Sequence, residues 1–158
     1  MNTHAPSLFD DGQIGQLATP TINHKNVHTT NLVDLMHDGF YIVFLLKNQY
    51  VPSNVENFRE KILNLLNRFE SQARKLQFNY DDIQDAKYAY CALLDETIIT
   101  QQDARFFDLQ NNWMMCPLQL SLFGSQLAGY RFFETMDEIR SKGKERLMAL
   151  EVYHYCML

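Results

Sequence analysis

The stretch from Asp85 to Thr100, DAKYAYCALLDETIIT, constrains this chain more than any other. Ile83, Ala86, Tyr90, Leu93, Leu94 and Ile98 recur at the three-and-four spacing of a buried helical stripe. Strict alternation fails at Cys91-Ala92-Leu93-Leu94, which argues against a strand. The pattern predicts a core helix, and against its most hydrophobic turn stands the pair Asp95-Glu96. Carboxylates in that position must reach water, a cation or N–H donors, because a buried unpaired charge is too costly.

Other helices are predicted around this one. One begins after the N-cap candidates Thr29-Thr30-Asn31 and runs to about Gln49, where Val51-Pro52 ends it. Its run from Phe40 to Leu46 is apolar all round, which predicts burial on most sides. Ser53 and Glu56 have capping-box spacing and open a long amphipathic helix. Its inner stripe is Val55, Phe58, Ile62, Leu65, Phe69, Ala73 and Leu76. The central helix then runs from Asp81 to about Gln101, and the polar stretch 101–112 reads as a loop. Trp113 begins a new apolar segment, and Pro117 suits the first turn of a helix reaching Phe123. Gly124 and Gly129 bracket a connection. A fifth helix over Tyr130 to Ser141 places Phe132, Phe133, Met136 and Ile139 inward, and a sixth from Glu145 carries Leu150 and Tyr153. The fold class is all-α with six main helices. Residues 31–158 form one helical domain, preceded by a flexible tail over 1–30.

The net charge of −5 is unevenly placed. Residues 80–112 carry Asp81, Asp82, Asp85, Asp95, Glu96, Asp103 and Asp108 against Lys87 and Arg105, so this segment alone holds a net −5. Such a surface repels nucleic acid and attracts a basic protein face. Cys91, Cys116 and Cys156 are odd in number and widely spaced, which favours reduced thiols in a cytosolic setting. No secretory signal is visible, and no apolar run approaches the ~20 residues of a membrane span.

No phosphate-binding loop, nucleophile elbow or HExxH motif occurs. Asp34…His37 and Glu151…His154 have the spacing of carboxylate–histidine ligands on a helix. That keeps a metal-dependent helical-bundle enzyme as an alternative, with the inward ligand set incomplete. Asp95 and Glu96 point about 100° apart on a helix and do not converge on one substrate atom. Their functional reading is recognition of a basic partner. Their structural reading is a helix-end pair bonded to neighbouring amides or to Arg105.

These residues resemble the cytoplasmic domain of the TssL/DotU (IcmH-like) family of type VI and type IVB secretion systems. The carriers are Tyr88 to Glu96, which resembles the family pattern A-x-Y-x-x-C-A-x-x-D-E with Tyr90 and Cys91 inside it, and Trp113 with Pro117-Leu118 and Leu122-Phe123. Gly129-Tyr-Arg-Phe-Phe133 is similar to G-G-E-x-F-F, with Arg131 as a departure. Leu150 to Leu158, with Glu151 and Tyr153, resembles L-E-L-x-Y-x-C-L. The resemblance implies two three-helix bundles with a cleft between them. It implies a non-enzymatic scaffold of the inner-membrane complex, facing the cytoplasm, with no cofactor. Its partners would be a TssM/IcmF-like subunit and TssK-like baseplate proteins, with self-association open. The family's Asp-Glu pair falls on Asp95 and Glu96, and an acidic cleft of Asp85, Asp95, Glu96 and Asp103 is the expected docking site. The family usually continues into a C-terminal transmembrane anchor, and a soluble adaptor without a membrane link is the other alternative.

Overall fold

The computed structural model describes residues 30–124 and 128–158, and among them every regular element is helical. Eight α-helices follow in order. They are α1 (Leu32–Leu35), α2 (His37–Lys47), α3 (Val55–Lys75), α4 (Tyr80–Ile99), α5 (Phe107–Met115), α6 (Leu118–Phe123), α7 (Ala128–Ser141) and α8 (Leu147–Met157). Short 3₁₀ turns over Ala104–Phe106 and Gly143–Arg146 precede α5 and α8. The expected tail lies outside the described residues, apart from Thr30.

The all-helical class stands, and α4 is its axis. It packs against α2, α3, α5, α6, α7 and α8. Ile83, Ala86, Ala89, Tyr90, Cys91, Leu94 and Ile98 along it have no exposed surface, so burial extends well beyond one stripe. Gly39 shows how closely α2 approaches. A Cβ at that position would lie 2.8 Å from the Tyr90 ring, and the Tyr90 hydroxyl donates to the Gly39 carbonyl at 3.0 Å.

Four expectations change. The first long helix is split at Met36, and its aromatic run is not buried on most sides: Tyr41 and Phe44 are 56% and 58% exposed. The stripe of Gly39, Ile42, Val43 and Leu46 faces the core, and nothing among the described residues covers the opposite side. The cap of α3 is Asn54, whose side chain accepts from the Asn57 amide, rather than Ser53. The stretch 101–112 is not a loop. Phe106, Leu109 and Trp113 step by three and four, are all buried, and carry the 3₁₀ turn and α5 onto α4. Its polar side chains had concealed that spacing. Phe133, expected inward, is 54% exposed, whereas Phe132, Met136 and Ile139 are buried.

Candidate functional site

Asp95 and Glu96 are adjacent and have opposite surroundings. Asp95 is 3% exposed, and Glu96 is on the surface. One Asp95 carboxylate oxygen accepts from the Trp113 indole N–H at 2.7 Å and from the Leu118 amide at 3.0 Å, and the other accepts from the Gln119 amide at 3.0 Å. The reason lies in α6. Its N-cap is Pro117, which offers no side-chain hydrogen bond to the first amides of the helix. Asp95 supplies that cap from another helix, and its negative charge also suits the positive end of α6. Burial pushes the Asp95 carboxyl up from its ordinary value, and the amides of Gln119 and Leu118, with the Trp113 indole, pull against that. Two of the three donors are backbone amides of α6 and the third is the Trp113 indole, and Arg105 is not among them.

Asp85 and Asp103 have partners within the fold too. Arg146, in the turn before α8, donates to buried Asp82 through Nε and to half-buried Asp85 through a terminal nitrogen. Burial raises the Asp85 carboxyl from its ordinary value, with Arg146 opposing. Asp103 accepts from the Arg105 amide, capping the 3₁₀ turn, and pairs with the Arg105 guanidinium at 2.7 Å. That hydrogen-bonded guanidinium lowers the Asp103 carboxyl. Of the seven acids in 80–112, four therefore serve contacts of the fold, and Asp81, Glu96 and Asp108 are exposed. The structure does not gather Asp85, Asp95, Glu96 and Asp103 on one open acidic face.

Glu96 has a different setting. It borders a hollow of about 570 Å³ lined by Ala92, Leu93, Phe132, Phe133, Cys156 and Met157. An anionic rim on an apolar floor suits a partner that presents a cationic side chain beside an apolar one.

The remaining motif residues are mainly packing groups. Trp113 is fully buried, 5.7 Å from the Phe58 ring, with the Arg59 guanidinium over its indole at 4.2 Å. Phe132 packs on buried Tyr153 with centroids 4.7 Å apart. Glu151 is half-buried on α8, and Gly129 lies in the first turn of α7. Burial raises the Cys91 thiol far above its ordinary value and pushes the Cys156 thiol up to about 12. His37 and His154, the histidines of the metal alternative, are exposed, and no three metal-capable side chains converge among the described residues. No helix among those residues is long and apolar enough to cross a membrane.

Sequence reasoning missed Arg146 and Gly39. An isolated glycine inside a helical pattern is a signal of close packing, so Gly39 was detectable. Arg146 lies in the charged run Lys142 to Arg146, where nothing local distinguishes it.

The sequence profile described as "Type VI secretion system protein DotU" matches residues 31–158. No curated protein sequence is matched. Among solved structures, the cytoplasmic domain of TssL from Acinetobacter baumannii is 70% identical, with a TM-score of 0.79, over 80% of this chain and 79% of that one. SciP/TssL from enteroaggregative Escherichia coli shares the fold at 19% identity and a TM-score of 0.61, over 79% of this chain and 72% of that one. With the matched span running across the whole described fold, this chain belongs to the DotU family of type VI secretion system proteins.

Proposed function

We propose that this domain is a non-enzymatic scaffold of the type VI secretion inner-membrane complex. It stands on the cytoplasmic side of the bacterial inner membrane, binds a TssM/IcmF-like subunit and recruits TssK-like baseplate proteins. Its helices divide into two three-helix bundles, and the hollow between α4, α7 and α8 belongs to the cleft between them. The docking group is Glu96. The observation that carries this reading is the contrast at the pair: Asp95 is used by the fold, and Glu96 stands exposed at the rim of an apolar hollow. Membership of a secretion-system family supports the scaffold role.

The test changes Glu96 alone. Glu96→Lys should lower capture of purified TssK-like or TssM/IcmF-like protein about tenfold or more, because it sets like charge against a basic face. Helical circular dichroism and the denaturation midpoint should stay at the parent values, since an exposed charge contributes little to stability. Undiminished capture of both proteins overturns the assignment of Glu96.

A further inference from the structure

The groove between α2 and α3 shares no lining residue with the Glu96 hollow. Two hollows, of about 310 and about 590 Å³, meet in it at Ile42, Asn57 and Lys61. The wall on the α2 side is apolar and aromatic, with Tyr41 and Tyr50 56% and 66% exposed. The α3 wall is a row of polar side chains. Asn57, Lys61, Asn64 and Arg68 step by four, three and four, so they stand on one face of the helix. Asn57, Lys61 and Asn64 are exposed, and their side chains make no hydrogen bond or ion pair with another described residue.

Charge divides this groove. In the hollow beside Pro52 the one charged group is Lys61, set among Ile42, Leu46 and Phe58. In the other hollow Asp38 bonds Arg68 at 2.8 Å, His37 lies 3.9 Å from Asp38, and Glu60 offsets Lys61. The Pro52 end therefore favours an anion, and the Arg68 end favours no net charge. The amide row adds a second preference. Each asparagine amide offers both donors and an acceptor, which matches the main chain of an extended segment. From Asn57 to Arg68 the row covers about 16 Å at the helical rise per residue, and about five extended residues span that length. A helix is the poorer occupant, because its main-chain groups are bonded internally and leave the row unused.

We infer that this groove binds an extended, acidic peptide segment of another protein. The segment's main chain bonds Asn57 and Asn64, one apolar side chain enters beside Pro52 and Phe58, and a neighbouring carboxylate pairs with Lys61. The domain thereby carries two docking surfaces of opposite charge, this one and the Glu96 rim.

Peptide titration tests this. The probe acetyl-Gly-Asp-Phe-Leu-Glu-Gly-amide is added up to about 5 mM to the isotope-labelled chain, a range that reaches millimolar contacts, and amide shifts are followed by NMR. Saturable shifts should centre on Asn57, Phe58 and Lys61. Lys61→Glu should weaken binding at least fivefold. The counterpart acetyl-Gly-Lys-Phe-Leu-Lys-Gly-amide should show the reverse preference in this groove. Asn57→Ala with Asn64→Ala should weaken binding several-fold, a loss that a purely ionic contact would not show. Glu96→Lys should leave binding unchanged, so the result is independent of the Glu96 assignment. Absence of saturable shifts, indifference to Lys61→Glu or to the asparagine changes, or shifts centred on the Phe133 hollow overturns the inference. The substituted groove positions are exposed, and unchanged circular dichroism confirms that each variant is folded.

Discussion

Asp95 and the pair Asp82–Asp85 lie on one helix, are largely withdrawn from water, and are stabilised in different ways. Asp95 is held by dipoles: two amides at the start of α6 and the Trp113 indole. Asp82 and Asp85 are held by one cation, Arg146, from the far end of the chain. The dipolar arrangement is distributed, and two of its three donors are backbone groups that no change of side chain short of proline removes. The ionic arrangement depends on a single side chain. Both take acids that suggest a docking surface in the sequence and commit them to the fold.

The largest effect should come from breaking the ionic arrangement. Arg146→Met leaves two carboxylates uncompensated and should cost about 3–5 kcal/mol. The measurement is the midpoint of urea denaturation. Combining it with Asp82→Asn and Asp85→Asn should recover most of that loss, because a buried ion cluster is often replaceable as a whole. If the triple variant is no better than Arg146→Met alone, charge is not what the cluster balances.

Asp95→Asn should cost about 2 kcal/mol, since one oxygen becomes an amide donor facing another N–H. Here no partner substitution should rescue. Trp113→Phe removes the indole donor, but the side-chain amide of the Asp95→Asn variant has only one acceptor oxygen for the Leu118 and Gln119 amides, so the double variant should remain below wild type. Recovery to wild-type stability would mean that the indole, rather than the α6 cap, is what Asp95 serves.

This contrast also explains what was legible in the sequence. The period of α3 and α4 was open to reading because their apolar residues repeat at helical spacing over five turns or more. The order of motifs identified the family. Stretch 101–112 was misread because its two buried anchors, Phe106 and Leu109, which continue the spacing to Trp113, are diluted among polar residues. The charge tally located the acidic segment but not its use. Net charge counts residues, and the partner of each depends on separations such as the 64 residues between Asp82 and Arg146. Asp95 and Glu96 look alike in sequence, and only the fold turns one inward and the other outward.

Gly39→Ala tests the packing on which this arrangement rests. The added methyl would lie 2.8 Å from the Tyr90 ring, and that ring is fully buried and cannot swing into solvent. Overpacking of this kind costs about 1–3 kcal/mol, partly offset by the better helix propensity of alanine. A thermal midpoint equal to wild type would show that α2 shifts freely on α4, and the contact between these helices would then not be fixed by the glycine.

The smallest effect concerns an ion cluster that is neither fully buried nor free. Glu70 of α3 accepts from Lys87 of α4 at 2.6 Å and pairs with Arg74 one turn further along its own helix. The hydrogen bond from Lys87 lowers the Glu70 carboxyl from its ordinary value, with burial opposing. A carboxyl lowered in the folded state stabilises that state in full above its ordinary value near 4.5, and the contribution disappears as pH falls through the lowered value. Glu70→Gln should therefore be less stable than wild type by about 0.5–1 kcal/mol at pH 7. The gap should narrow as pH falls below 4.5 and close only below the lowered Glu70 value. Asp85 behaves in the opposite sense, because its carboxyl is raised and its charged form is the one the fold penalises. Denaturation of wild type and Glu70→Gln at pH 7 and pH 4 isolates the Glu70 contribution as a difference. A gap that persists unchanged at low pH would mean that Glu70 acts through packing of its side chain and not through its charge.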